Sequence, residues 1–152
     1  MHIVLTADHR GFKLKETLKQ FLISAGNEVE DVGNLAYDES DDYVDFARIA
    51  SEKIAADSTN LRGIFICGSG IGMDVVANKF RGVRAGLVHN EHEATQSREH
   101  GDSNVLVLGA DELDAEHAKK LVMLFLETPF SGEERHVRRL KKIEEIEAEN
   151  FR

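Results

Sequence analysis

The chain alternates short apolar runs with longer amphipathic segments, and this alternation restricts its fold more than any other feature. Strand-like apolar runs occupy residues 3–7, 28–32, 63–67, 84–88 and 105–108. Helix-like segments occupy residues 12–25, 43–56, 73–80, 91–99, 115–127 and 133–149. Several apolar runs are continuous, as expected for strands covered on both faces. Alternation at this spacing predicts right-handed crossovers and a mainly parallel sheet.

The length of 152 residues suits a single domain, and no linker or internal repeat divides the chain. The predicted fold class is α/β: a three-layer α/β/α sandwich around a five-stranded, mainly parallel, Rossmann-like sheet. In the last helix-like segment apolar residues recur every three positions, at Val137, Leu140, Ile143 and Ile146. This narrow stripe fits either a partner subunit or packing back onto the same domain, and the spacing does not separate the two.

Charge and cysteine content narrow the classes of partner. The chain has 19 basic and 28 acidic side chains, a net charge of −9, and an acidic protein repels nucleic acid. Cys67 is the only cysteine, so no disulfide can form within the chain. Apolar stretches such as 121–126 are too short for a bilayer, and the chain enters a strand-like run without a leader. We therefore expect a cytoplasmic protein with no nucleic-acid or membrane partner.

Polar turns follow the first, third and fourth predicted strands. They begin at Asp8, Cys67 and His89. Ligands of open parallel sheets bind beyond the carboxyl ends of the strands, so we expect these turns to converge on one edge. The acidic stretch 34–42 is long enough to form a lid or rim of the same site.

The turn after the third strand, CGSGIG at 67–72, is the most informative. Its glycines allow backbone N–H groups to approach a ligand closely, and the helix that follows adds a positive end. This combination predicts a cradle for an oxyanion or phosphate. A nucleotide loop is disfavoured, because the first lysine, Lys79, lies seven residues past Gly72 and the glycine spacing is G-x-G-x-G.

Cys67 has two interpretations from the sequence. One is a buried, inert cysteine at a strand end, which is common for a lone cysteine. The other is a base, since a thiolate at this position could remove a proton next to a carbonyl. The loop amides would then stabilise the enediolate oxygen, and Ser69 could bond either the sulfur or that oxygen.

The histidines and the C-terminal arginines are weaker candidates. His9 and His100 could carry protons near neutral pH, or could be ordinary surface or core residues. A metal site built from the histidines is disfavoured, because no tight ligand spacing occurs. Arg135 and Arg139 lie four residues apart in R-H-x-x-R, so on a helix they form either a phosphate clamp or a solvated face.

Four blocks together resemble the ribose-5-phosphate isomerase B family, which also includes galactose-6-phosphate isomerase subunits. The blocks are ADHRGFKLK at 7–15, CGSGIGMDVVANKFRGVRA at 67–85, SREHGDSNVLVLG at 97–109 and RHVRR at 135–139. The resemblance covers essentially the whole chain, and the second block is long and specific. It implies a single sugar-phosphate isomerase domain over 1–152.

The resemblance implies a role for each matching residue. Cys67 matches the proton-abstracting cysteine, Ser69 a hydroxyl position beside it, and His100 the histidine that opens the furanose ring. The remaining positions match substrate-binding residues: Asp8, His9, Gly68, Gly70, Ile71, Gly72, Gly101, Arg135, His136 and Arg139.

The implied reaction interconverts ribose 5-phosphate and ribulose 5-phosphate through a cis-enediolate, without metal or cofactor. Family members are homodimers or larger, so the resemblance implies a homodimer, or a tetramer, that shares its active site between chains and uses the C-terminal helix in dimerisation. Two alternatives stay open. One is an isomerase for another sugar phosphate, such as allose or galactose 6-phosphate, and the other is a non-catalytic sugar-phosphate-binding protein.

Three positions depart from the family pattern. Gly101 stands where an asparagine is usual, Asp111 where an arginine contributes to phosphate binding, and Val44 in place of a proline. One hypothesis is that Arg10 supplies the missing arginine from the turn after the first strand. A second is that Asp111 binds a sugar hydroxyl, so that ribose 5-phosphate is not the preferred substrate.

Overall fold

The structure is a computed structural model and describes residues 1–151. The strands are β1 (His2–Ala7), β2 (Glu28–Asp31), β3 (Leu61–Cys67), β4 (Ala85–Leu87) and β5 (Val105–Gly109). The helices are α1 (Phe12–Ser24), α2 (Tyr43–Ala56), α3 (Ile71–Ala77), α4 (Glu91–Glu99), α5 (Ala115–Glu127) and α6 (Glu134–Asn150). All elements predicted from the alternation are present.

The five strands form one parallel sheet in the order β2-β1-β3-β5-β4. Two apolar cores cover its faces. Ile3 and Leu5 pack on one face with apolar residues of α1, α4 and α5. Val4 and Phe65 pack on the other face with residues of α2 and α3. Alternate residues of a strand point to opposite faces, so the predicted three-layer α/β/α sandwich is confirmed.

Several elements differ from their predicted limits by one to three residues, and for α3 and β4 the structure shows a local reason. Helix α3 begins two residues earlier than predicted, because Gly70 takes a left-handed conformation (φ 79°) and its carbonyl accepts the Asp74 N–H at 3.0 Å. The same helix ends at Ala77, where the Asn78 side chain bonds the backbone N–H of Ala85 at 2.9 Å. Strand β4 is only three residues long, because the backbone N–H of Arg84 donates to Asn104 Oδ1 at 2.9 Å instead of to a neighbouring strand.

A buried ion pair joins α1 to the end of β2. The Lys15 side chain is fully buried, and its Nζ lies 2.5 Å from Asp31 Oδ2. Lys19 donates to the same oxygen from 2.9 Å, and the Gly33 N–H donates to Asp31 Oδ1. Burial raises the pKa of Asp31, but the hydrogen bonds from Lys15 and Lys19 outweigh it and leave that pKa below its usual value.

Helix α6 contacts the domain at few points. His136 in its first turn is buried, and Glu147 near its end accepts the Gly82 N–H. Val137, Ile143 and Ile146 of the apolar stripe are about half exposed. Folding back onto the same domain therefore leaves much of this stripe uncovered. Within residues 1–151, no helix combines the length and apolar character needed to cross a bilayer.

Candidate active site

The loop between β3 and α3 closes around the cysteine sulfur. Cys67 is 4% exposed, and its Sγ accepts the Gly70 N–H at 3.2 Å. Ser69 Oγ accepts the Ile71 N–H at 3.3 Å. The left-handed φ of Gly70 brings its N–H toward the sulfur, and a Cβ there would lie 2.4 Å from Leu87 Cδ1. Glycine is therefore required here by backbone conformation and by space.

The turn after β1 packs directly against this loop. The Asp8 N–H bonds the Ile66 carbonyl at 3.3 Å, and Asp8 Oδ1 accepts the Gly11 N–H at 3.0 Å. A Cβ on Gly11 would lie 2.6 Å from the Ile66 carbonyl oxygen, so only glycine allows this close approach. Burial raises the pKa of Asp8, against the opposing effect of the Gly11 N–H. The predicted convergence of the first and third turns is confirmed.

Arg10 and Asp111 form an ion pair across the top of the cysteine loop. The Arg10 guanidinium lies against Gly68, where a Cβ would be 2.4 Å from its Cζ. Its Nη2 pairs with Asp111 Oδ2, and both side chains are about half exposed. Backbone bonds hold the segment after β5 in place: Ala110 N–H to the Cys67 carbonyl at 2.9 Å and Asp111 N–H to the Gly68 carbonyl at 3.0 Å. A cation and an anion thus border the glycine cradle.

His9 is held by the acidic loop that follows β2. Asp41 Oδ1 lies 2.7 Å from His9 Nδ1 and accepts the His9 backbone N–H at 3.0 Å. The hydrogen bond that His9 donates to Asp41 raises the pKa of His9. Burial raises the pKa of Asp41, but bonds from Asn34 and from both His9 groups leave it lowered. The sequence indicated only a lid or rim at 34–42, and no spacing rule singles out Asp41.

Asp74 is a second acidic residue that sequence reasoning missed. It lies in the first turn of α3, and burial raises the pKa of its carboxyl. The backbone of Leu87, at the end of β4, acts on that pKa in the opposite direction. Asp74 is thus a half-buried carboxyl close to the end of β4.

One group of potential metal ligands occurs within residues 1–151. Asp8, His9 and Asp41 each offer a ligand atom, and these atoms lie within 4.8 Å of one another. The nearest atom of His9 is already hydrogen-bonded to Asp41, so an ion would have to displace that bond. We assign no metal to this group. His89 pairs with Glu93, and His92 is exposed, so neither joins it.

His100, Gly101, His136 and the C-terminal arginines form a second cluster, at the end of α4 and the start of α6. The rings of His100 and His136 stack with centroids 4.2 Å apart, and His136 Nδ1 lies 2.7 Å from Ser131 Oγ. Burial, and then the charge of His100, lower the pKa of His136. Arg135 pairs with Glu133 at 2.8 Å, and Arg139 is exposed.

A cavity of about 440 Å³ borders the second cluster and is lined by His100, Gly101 and Leu87 among others. Leu87 also contacts Gly70 of the cysteine loop. Within residues 1–151, no hydrogen bond or ion pair joins His100, His136, Arg135 or Arg139 to the loop at 67–72. The chain thus holds two groups of predicted site residues that do not bond to each other.

Comparison with known proteins identifies the class. A family model described as Ribose/Galactose Isomerase matches residues 3–143, so the chain belongs to this family of sugar isomerases. The ribose-5-phosphate isomerase B of Mycobacterium tuberculosis is 36% identical over 147 residues, covering 97% of this chain and 90% of that protein.

Solved structures agree. Ribose-5-phosphate isomerase B of Mycoplasma genitalium, with bound ribulose 5-phosphate, superposes with a TM-score of 0.95 at 38% identity, covering 98% of this chain and 97% of that one. The Clostridium thermocellum ribose-5-phosphate isomerase B gives 0.92 at 40% identity, covering 98% and 99%. The chain is thus an enzyme, a sugar-phosphate isomerase of the ribose-5-phosphate isomerase B and galactose-6-phosphate isomerase family.

Proposed function

We propose that this isomerase interconverts ribose 5-phosphate and ribulose 5-phosphate through a cis-enediolate, with Cys67 as the base. The observation that carries the proposal is the position of the Cys67 sulfur. It accepts the Gly70 N–H inside a glycine-walled loop that packs against the Asp8–Gly11 turn. The Mycoplasma genitalium relative, whose structure contains ribulose 5-phosphate, supports this choice of substrate.

The proposed proton transfer needs one base and one set of oxyanion donors. The Cys67 thiolate takes the proton from C2 of the open aldose and returns it to C1, while a proton moves from O2 to O1. The Gly70 N–H favours negative charge on the sulfur, and free amides of the 68–72 loop stabilise the enediolate oxygen. Ser69 Oγ, already bonded to the Ile71 N–H, can donate its own proton to the same oxygen.

Ring opening and phosphate binding are assigned to the second cluster. We propose that His100 opens the furanose ring, and that Arg135, His136 and Arg139 bind the phosphate. These residues do not bond to the cysteine loop of their own protomer within residues 1–151, and the half-exposed stripe of α6 suits a second copy. A homodimer that joins one copy's cysteine loop to the other copy's α6 would complete the site.

Arg10 is proposed as an additional phosphate ligand, held in place by Asp111. It lies on the rim of the cradle, against Gly68, and is half exposed. Arg10→Ala is expected to raise the KM for sugar phosphates markedly. Lys13→Ala is the matched control, because Lys13 is an exposed cation that lines the same groove as Arg10. An unchanged KM for Arg10→Ala would reject this role.

The central test combines a substrate panel with a cysteine variant. Pentose and hexose phosphates are assayed for aldose–ketose conversion by wild type, Cys67→Ala and Ser51→Ala. Ser51 is fully buried in α2, and its hydroxyl donates to the Ala47 carbonyl. Ser51→Ala therefore removes one buried side-chain atom, as Cys67→Ala does, but at a residue outside the proposed site. Cys67→Ala should abolish turnover and retain binding, whereas Ser51→Ala should retain both. Turnover in Cys67→Ala would contradict the proposal.

Gly101 favours a second candidate, an isomerase for a larger sugar phosphate such as allose or galactose 6-phosphate. Gly101 has no side chain and borders the cavity with His100, which leaves room for a longer sugar. Preferential conversion of a hexose phosphate would select this candidate. Binding without conversion of any substrate in the panel would select the non-catalytic alternative.

A further inference from the structure

The loop at 33–42 runs close to the end of β1 and is internally braced. A Cβ on Gly33 would lie 2.7 Å from the Ala7 backbone nitrogen, so the chain passes directly against β1 as it leaves β2. Asp38 accepts the backbone N–H and hydroxyl of Ser40, and its carbonyl accepts the Asp41 N–H at 3.2 Å. These contacts place the Asp41 carboxylate beside His9.

Every polar contact of the Asp41 carboxylate serves His9 or braces the loop. Oδ1 accepts hydrogen bonds from the backbone N–H and the ring Nδ1 of His9, and Oδ2 accepts one from the Asn34 side-chain amide at 3.0 Å. The Asp41 side chain is 4% exposed, whereas the His9 ring is 26% exposed. A buried carboxylate offers only acceptors, so the proton of this pair resides on His9 Nδ1.

Two aromatic contacts complete the support. The Tyr37 ring meets the His9 ring edge-on with centroids 6.4 Å apart, and it meets the Phe12 ring at 6.2 Å. The His9 imidazole is thereby fixed by a hydrogen bond on one ring nitrogen and by a ring packed at its edge. Nε2 is the nitrogen that remains for a substrate.

We propose that Asp41 is a positioning residue of this enzyme, which holds His9 with its proton on Nδ1 and presents Nε2–H of the imidazolium to an oxygen of the sugar phosphate. This inference rests on the proposed function for the identity of the substrate, and on the contacts of Asp41 for the state of His9. The raised pKa of His9 agrees with it, since the carboxylate favours the charged ring.

The charged groups that face His9 are Asp41, Asp8, Asp38 and Arg10. The three carboxylates favour the imidazolium and Arg10 disfavours it. Asp41 is the one hydrogen-bonded to the ring, so its charge has the largest effect on the protonation of His9. The predicted consequence is an imidazolium that persists above the ordinary titration range of histidine.

The first test measures His9 itself, without substrate. Imidazole NMR titrations compare wild type, Asp41→Asn and Glu39→Gln, with the His9 signal assigned by its loss in His9→Gln. Asp41→Asn keeps an acceptor oxygen for Nδ1 and removes the charge, so the His9 pKa should fall by about one unit or more. Glu39 is an exposed acid of the same loop, and Glu39→Gln should leave the titration unchanged. An unchanged His9 pKa in folded Asp41→Asn would overturn the inference.

A second measurement needs no variant at position 41. In wild type above the His9 pKa, imidazole nitrogen shifts should show the neutral ring with its proton on Nδ1. A proton on Nε2 would overturn the inference even if Asp41→Asn fails to fold.

The third measurement links position 41 to turnover. The pH profile of kcat/KM should fall at high pH as His9 loses its proton, and Asp41→Asn should move this limb to lower pH and reduce the maximum about tenfold. A merely structural role would lower activity without moving the limb. If the NMR results hold and no sugar phosphate is converted, the proposed function is wrong and the positioning of His9 stands.

Discussion

The buried pair of Lys15 and Asp31 allows a quantitative prediction of stability. Lys15 is fully buried, and without Asp31 its ammonium would keep only Glu16, whose side chain is 41% exposed. Breaking a buried pair by removing one partner costs about 3–5 kcal/mol, and we expect Asp31→Asn to cost about 3 kcal/mol because Glu16 remains. Most of this cost comes from leaving the charged Lys15 ammonium buried without its full-strength partner.

The opposite truncation should be milder. Lys15→Met removes the buried charge and fills its space with a flexible apolar chain, while Asp31 keeps Lys19 and the Gly33 N–H. We expect a loss of roughly 1.5–2 kcal/mol, at the lower end of the range for a lost hydrogen bond to a charged group, because Lys19 still pairs with Asp31. Lys19→Met, which removes the partly exposed partner of the same carboxylate, should cost less than about 1 kcal/mol. The double variant Lys15→Met/Asp31→Asn should be no less stable than Asp31→Asn alone.

The assay is urea unfolding at pH 7, followed by far-UV circular dichroism at two protein concentrations, because unfolding of an oligomer depends on concentration. The pKa of Asp31 is lower in the folded chain, so its stabilising effect is present above the unfolded pKa and is lost as pH falls through the folded pKa. The gap between wild type and Asp31→Asn should therefore shrink below about pH 4. Equal losses for Asp31→Asn and Lys19→Met would refute the reasoning.

Three further predictions concern the site and the rim of the sheet. Gly70→Ala should lower the free energy of unfolding by about 1–2 kcal/mol through left-handed backbone strain, and by a further amount because the new Cβ displaces Leu87. Gly26→Ala, at φ 82° with open space around it, should show the cost of the strain alone. Urea unfolding and isomerase assays of both variants measure the difference. Asn104→Ala should cost about 1–3 kcal/mol, because its buried amide bonds the Arg84 N–H at 2.9 Å and the Gly82 carbonyl at 2.8 Å; an unchanged unfolding midpoint would contradict this. Burial lowers the pKa of His136, so its neutral form stabilises the fold above the unfolded pKa, and that effect is lost as pH falls. His136→Gln should therefore flatten the stability profile below about pH 6.5.

The elements and the cysteine loop could be predicted because they depend on local pattern. Continuous apolar runs predicted β1, β3 and β5, and the glycines of CGSGIG predicted a tight turn at a strand end. The contacts of Asp41 could not be predicted, since they require the loop after β2 to cross the end of β1. The stacking of His100 and His136 joins the end of α4 to the start of α6, and no spacing along the chain reports it.

The ion pair of Arg10 and Asp111 is another contact that the sequence did not predict. The sequence offered one hypothesis for each residue separately, with Arg10 binding phosphate and Asp111 binding a sugar hydroxyl. In the structure they bind each other across the cysteine loop, because β1 and β5 both flank β3. Replacing either residue also leaves the other without its ion-pair partner, so variants of Arg10 and Asp111 have to be compared together.

The strand order has a consequence for how the chain can assemble while it is being synthesised. β4 pairs with β5 alone, and β5 also supplies the second neighbour of β3. A nascent chain that has emerged only as far as residue 104 therefore contains β4 without its ladder partner and β3 with one edge unpaired. The insertion of Val105–Gly109 closes both gaps at once, so a ribosome-bound chain acquires its complete sheet only after the fifth strand has left the exit tunnel.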